Sequence, residues 1–214
     1  GYLQRLRQAA GPDCYITVEK ILAKGEQLPA DWPVSGTTGY EFIASLAEVL
    51  VDDDNLSRLE TIHDETLGIT VDRHAELRDA KGLMTDRNFE GEFTTLLNLA
   101  DDLARRNEVA LPREEIRHAL RELLIAFPVY RTYGTREGLT PSDVALLNRV
   151  IAGVETSEAA LSLIVRILTG DLPEDCRESA ALFRTRFQQL TGPLMAKSVE
   201  DTLFFRHNLE LALN

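Results

Sequence analysis

Cysteine, histidine and positive charge are scarce in this 214-residue chain, and each shortage removes a class of answer. The two cysteines, Cys14 and Cys176, have no Cys or His at metal-ligand spacing, which argues against a zinc site and a disulfide framework. Whether they pair with each other is left open by the sequence. The four histidines, at 63, 74, 118 and 207, also lack ligand spacing, so no metal is expected. Basic residues number 23 against 35 acidic ones, and the net charge of −12 repels a phosphate backbone and an anionic membrane surface. No nucleic-acid partner is expected. No apolar run approaches the roughly 20 residues that cross a bilayer, so no membrane partner is expected either. Gly1-Tyr2-Leu3-Gln4-Arg5 lacks the charged start and apolar centre of a secretion signal, and the expected location is cytoplasmic.

With 44% hydrophobic residues the chain can bury a core, and its length is long for one compact domain and short for two. It is organised around residues 14–42, CYITVEKILAKGEQLPADWPVSGTTGYEF. The run CYITV is β-branched and aromatic after a Gly11-Pro12 breaker, which predicts a buried strand with Cys14 as a small buried hydrophobe. Glu19 closes that strand. A carboxylate at the carboxyl end of a buried parallel strand is where α/β barrels place catalytic groups. The loop that follows has Pro29, Trp32 and Pro33 for stiffness and an aromatic face, and Gly36 and Gly39 for tight turns around Thr37 and Thr38. Such a surface suits a sugar, whose apolar ring face stacks on indole while its hydroxyls bond Thr, Tyr and backbone groups. The plain alternative is a strand-end Glu19 paired with Lys20 or an arginine, with Trp32 and Tyr40 anchoring the loop.

The rest is mostly helical in pattern. Residues 2–10 form a helix, and Phe42, Ile43, Leu46, Ala47 and Leu50 mark another that ends at Asp52-Asp53-Asp54-Asn55, a solvated turn rather than a calcium loop. Residues 56–126 are helical nearly throughout, with Pro112 at a helix start and a loop or short helices over 78–92, where Gly82 and Gly91 interrupt a polar run. His63 and His118 sit at ordinary helix positions. Residues 127–130 read as a second strand, followed by Arg131 and Tyr133, which could orient substrate hydroxyls or cap a turn. Thr140-Pro141-Ser142-Asp143 is a helix start of the capping-box type. Two further helices lead to Thr191-Gly192-Pro193, then a third strand at 194–196 and a last helix over 202–213. Asp201 on its own would pass as a helix-cap acid.

Three blocks carry a family resemblance. VEKILAKGEQLPADWPVSGTTGYEF, FPVYRTYG and QQLTGPLMAKSVEDTLFFRHN resemble, in the same order, segments of the maltooligosyl trehalose synthases, proteins several times longer than this chain. The resemblance implies an α-amylase-like fold. The expected class is mainly α with a few short parallel strands, part of a (β/α)8 TIM-type barrel carrying a helical insertion. It divides the chain into a barrel segment at 1–51, a helical insertion at 52–126 and a second barrel segment at 127–214. It also implies that Glu19 is the acid/base and Asp201 the transition-state stabiliser, with Trp32, Thr37, Thr38, Tyr40, Arg131, Tyr133 and Lys197 as substrate-binding residues. The nucleophile aspartate of such enzymes is expected on a preceding strand, outside this chain. The substrate implied is a maltooligosaccharide whose reducing-end α-1,4 link becomes an α,α-1,1 link, with no metal or organic cofactor. Three positions depart from the family: Ser198 replaces a glycine, Glu41 an aspartate, and Phe205 a tyrosine whose hydroxyl is lost. Two rivals stand beside this reading, a related hydrolase or 4-α-glucanotransferase, and a helical interaction unit without turnover.

Overall fold

The computed structural model describes residues 1–23 and 25–207, the side chain of Asp53 excepted. It is mainly helical with two short parallel strands, and it divides into two compact units, Gly1–Val71 with His207 and Asp72–Arg206.

The first unit opens on helix α1 (Tyr2–Ala10), which stops at Gly11 with φ 92°. Arg7, in its last turn, donates to the carbonyls of Gly11 (3.3 Å), Pro12 (3.2 Å), Cys14 and Pro33 (2.9 and 3.0 Å). One guanidinium thus ties the helix to both sides of the loop that follows. Strands β1 (Thr17–Val18) and β2 (Gly36–Thr37) pair in parallel, Thr17 opposite Gly36 and Val18 opposite Thr37. Bonds from Ser35 N to Ile16 O (2.6 Å) and from Thr38 N to Val18 O (3.1 Å) flank the pair.

The buried strand expected at CYITV is therefore only two residues long, and it is open to solvent: Cys14 and Tyr15 are exposed. No third strand flanks the pair among the described residues, and Ile16 and Val18 are only partly buried. Gly39, in the left-handed region at φ 100°, starts α2 (Tyr40–Leu50). The predicted apolar stripe is present, yet Phe42, Ile43, Leu46 and Leu50 on it are exposed. The acidic run becomes a 3-10 turn, Asp53–Asn55, leading into α3 (Leu56–Leu67), which ends on left-handed Gly68. Among the described residues of this unit, the one that is buried is Lys20.

The second unit holds the core. Helices α4 (Arg73–Leu83), α5 (Glu90–Arg106), α6 (Arg113–Ala126), α7 (Pro141–Ile151), α8 (Glu158–Thr169), α9 (Arg177–Ser198) and the short α10 (Phe204–Arg206) follow one another. α5 packs against α9, and Phe93, Leu96, Leu97 and Leu103 on the one and Phe183, Phe187, Leu190 and Leu194 on the other are buried. α6 packs on α8 through Ile116, Leu120, Leu123 and Leu124 against Leu163, Ile164 and Ile167. Each such side chain contributes about 1.5–3 kcal/mol by leaving water. Local signals hold here: Asp72 caps α4 by accepting from Ala75 N (3.0 Å), and Thr140 caps α7 by accepting from Asp143 N (3.2 Å), with Pro141 in the first turn.

Two expectations fail in this unit, and a third resolves to one of its alternatives. Of the loop or short helices expected over residues 78–92, the structure has helix: α4, a π-helical turn over Met84–Asn88 and α5 run on almost without a break. A Cβ on Gly82 would stand 2.7 Å from Arg121 Nη2, the far end of a side chain that can shift. Residues 127–130 are irregular rather than a strand. Pro128 has no N–H to offer a ladder, and the Phe127 carbonyl is taken by Lys81 Nζ at 2.6 Å. Residues 194–196 are the last turns of α9, which passes through Pro193. The proline forfeits one donor, while continuing the helix keeps Leu194 and Met195 buried on the face of Leu190. The last helix expected over 202–213 is described as far as His207, as a π turn (Val199–Leu203) and α10; residues 208–213 lie outside the described residues.

Candidate active site

In the first unit the site residues are gathered by the β1–β2 pair. Glu19 follows β1 and is exposed, and the Tyr40 hydroxyl, from the first turn of α2, reaches its Oε1 at 3.5 Å. The neighbour that could have neutralised it is engaged elsewhere. Lys20 turns inward, donating to Glu26 Oε2 at 2.9 Å and to Ile21 O at 2.6 Å, while Glu26 also accepts from Ala23 N at 2.9 Å. The ion pair of this strand end is therefore Lys20 with Glu26. Trp32 is half-buried in a turn closed by Trp32 N to Pro29 O (3.1 Å) and Val34 N to Trp32 O (2.8 Å). Thr37 donates to both oxygens of Glu41 (2.7 and 2.6 Å) and accepts from Gly39 N (3.1 Å), which fixes the GTTGY turn. The Thr37 bond, followed by a backbone N–H, holds the Glu41 carboxyl below its usual range. Thr38 is exposed.

In the second unit Arg131 and Tyr133 lie on a strap, residues 127–139, between the helices. Arg131 lies with its guanidinium carbon 5.4 Å from the centre of the Tyr133 ring. Buried polar side chains hold the strap. Arg184, 1% exposed, donates from Nε to Thr135 O (2.9 Å), from Nη2 to Arg136 O (2.7 Å) and from Nη1 to Ile167 O (2.5 Å) and Leu168 O (3.3 Å). Gln188 accepts from Gly134 N (2.6 Å) and donates to Gly134 O (3.3 Å). Asp143 Oδ2 accepts from Tyr133 N at 2.9 Å. Lys81, 3% exposed, grips the start of the strap, and burial pulls its ammonium down to a pKa of about 8. Burial also lowers Arg184, against the attraction of Glu137.

Asp201 stands on the π turn that follows α9, in an ion pair with Lys197 one turn back, and both side chains are about half exposed. Its neighbour Glu200 accepts a hydrogen bond from the Tyr130 hydroxyl. Thr202 donates to Lys197 O at 2.8 Å and lines a groove of about 650 Å³ with Asp79, Leu83, Asp86, Arg87 and Arg206. The structure sets Tyr40 beside Glu19, Arg131 beside Tyr133, and Lys197 beside Asp201. Sequence reasoning missed Arg7, Lys81, Arg184 and Gln188. For the last two a signal existed: they stand four and eight residues after Ala180, on its side of the helix, where an apolar residue is otherwise expected.

No family model matches the chain. A curated protein of Mycobacterium tuberculosis (strain H37Rv), provisionally named a maltooligosyl trehalose synthase, is 28% identical over all 214 residues. The chain spans about a quarter of that protein's length, 26%. Among solved structures, the maltooligosyltrehalose synthase from Arthrobacter ramosus superposes with a TM-score of 0.75 at 29% identity, over 96% of this chain and 25% of that one. The DSM5389 glycosyltrehalose synthase does so with a TM-score of 0.65 at 26% identity, over 97% of this chain and 23% of that one. The likeness seen first in three motifs is thus a likeness of the whole chain, in sequence and in fold, to maltooligosyl trehalose synthases.

Proposed function

We propose that this chain is part of a maltooligosyl trehalose synthase that isomerises the reducing-end α-1,4 linkage of a maltooligosaccharide to an α,α-1,1 linkage. What carries the reading is the whole-chain likeness together with Glu19, exposed beside Tyr40 and relieved of Lys20 by Glu26. In a retaining mechanism the bond breaks through an oxocarbenium-like state, with an acid protonating the leaving oxygen and a carboxylate nucleophile on the other face. Glu19 donates its proton to the oxygen of the departing glucose. As carboxylate it then takes the proton from that glucose's anomeric hydroxyl, which attacks the intermediate and forms the 1,1 bond. Asp201 stabilises the charge of the transition state, and the nucleophile comes from a part of the protein outside this chain. Trp32, Thr37, Thr38, Tyr40, Arg131, Tyr133 and Lys197 are the residues assigned to sugar binding in this reading. In this reading residues 1–51 and 127–214 belong to a TIM-type barrel, 52–126 are its helical insertion, and the protein works in the cytoplasm without a cofactor.

The test is product analysis. The full-length protein carrying this chain, given maltopentaose, yields a product of the same mass with a non-reducing trehalose end, and Glu19→Gln lowers turnover by about 10²–10⁴-fold. Shortened sugars would instead mark a hydrolase or 4-α-glucanotransferase. Neither binding nor conversion would mark a helical unit without turnover.

A further inference from the structure

We propose that Tyr130 and Glu200 form a latch that sets the direction of Asp201, a role that rests on the reading of Asp201 given above. The latch joins two of the sequence motifs across seventy residues: the phenol of FPVYRTYG donates to the carboxylate that immediately precedes Asp201. Both ends of that bond are built for positioning. On the Tyr130 side, the strap is pinned by groups that are themselves buried. Lys81 holds the Phe127 carbonyl at 2.6 Å, Gln188 holds Gly134 N at 2.6 Å, and Arg184 holds Thr135 O at 2.9 Å and Arg136 O at 2.7 Å. Tyr130 therefore has little freedom to follow Glu200 if the latter moves.

On the Glu200 side the backbone is irregular. α9 ends at Ser198 and passes into a π turn over Val199–Leu203. Such a turn inserts an extra residue into the helical ladder and recurs at functional sites. Without an anchor its side chains can rotate about the helix axis as the ladder slips back to regular pitch. Consecutive helical residues project about 100° apart, so a Glu200 held inward by Tyr130 commits Asp201 to the outward side. Lys197, one turn earlier, then meets Asp201 there. Tyr130 and Glu200 are positioning residues, acting on the substrate only through their neighbour.

The test uses the full-length protein on maltopentaose, with kcat and KM measured separately. Tyr130→Phe keeps the ring and removes the donor. It should lower kcat by about 10–100-fold, the scale of a misplaced catalytic group, and leave KM within about twofold. Glu200→Gln still offers an oxygen to the phenol and should keep most of the wild-type kcat. Glu200→Leu should fall to the level of Tyr130→Phe, and the double variant Tyr130→Phe/Glu200→Leu should be no worse than the poorer single one. Wild-type kcat in Tyr130→Phe would overturn the latch. So would a Glu200→Gln as poor as Glu200→Leu, which would mean that the charge rather than the bond matters, or losses that multiply in the double variant. Unchanged turnover in Asp201→Asn is a separate result, which strikes the role given to Asp201 and not merely its support.

Discussion

Gly138 and Gly170 meet backbone to backbone: a Cβ on Gly138 would stand 2.1 Å from Thr169 O, and one on Gly170 2.3 Å from Glu137 O. Both residues have φ in the region that side chains resist, 147° and 86°. The contact seats the end of the strap on the carboxyl end of α8. Gly138→Ala should destabilise the protein by about 3 kcal/mol or more, since relief requires moving main chain rather than a side chain. Denaturant unfolding with one probe in the helical unit would measure it, and a loss under about 1 kcal/mol would contradict the contact.

Arg184 serves four carbonyls from three nitrogens. Lysine keeps the charge but has one nitrogen, so Arg184→Lys leaves buried acceptors unpaired, each costing about 1–3 kcal/mol. A loss of roughly 3 kcal/mol is expected. Equal stability of the two proteins in urea would show that a single charge suffices.

Lys81 gives a pH signature. Its folded pKa of about 8 lies below the ordinary 10.5, so between these values the unfolded chain binds the extra proton. Stability attributable to Lys81 therefore rises as pH climbs from about 8 to 10.5 and is flat outside that window. Lys81→Met has no such dependence. The unfolding free energy of wild type relative to Lys81→Met should improve across the window by on the order of 3 kcal/mol; parallel curves for the two proteins would place the true pKa near that of an exposed lysine.

Ser198 Oγ is buried and makes no hydrogen bond among the described residues. An unpaired buried hydroxyl costs about 1–3 kcal/mol. Ser198→Ala should accordingly raise the unfolding free energy by about 1 kcal/mol, read as a higher melting temperature. A drop instead would reveal a bond made by this hydroxyl.

In the GTTGY turn, Thr37→Val removes both hydroxyl bonds to Glu41. The Glu41 pKa should move up toward the ordinary carboxylate value, as followed by carbon-detected NMR titration. Because the folded pKa is the depressed one, the stabilisation present above the unfolded pKa is lost as pH falls through the folded value. An unmoved titration in the variant would assign the shift to the backbone alone.

What the sequence made legible was local. The limits of α1, the cap at Thr140 and the stripe of α5 each depend on residues within a few positions of one another, and all are found where the pattern put them. Strands were misjudged because a strand exists only through its partner. CYITV has composition enough for five residues but a partner for two, and 127–130 has a lysine where it needed a ladder. Thr191-Gly192-Pro193 passed for a breaker because the burial of Leu190, Leu194 and Met195, which carries α9 through it, depends on elements far off in the sequence that pack on α9, α5 among them. In the site, motif residues were legible as individuals. Their supports were not, since Arg7, Lys81 and Arg184 act on carbonyls, which every residue has and no motif records.

β1 and β2 pair only with each other among the described residues, and that bears on how the chain behaves in a tube. Each strand's far side offers amide and carbonyl groups to whatever segment drifts past, and Tyr15 and Phe42 lie exposed on the same unit. The net charge of −12 keeps molecules apart at low ionic strength, but added salt screens it. Residues 1–214 on their own, concentrated and salted, should then self-associate edge to edge through the first unit, which flanking strands of a longer protein would prevent.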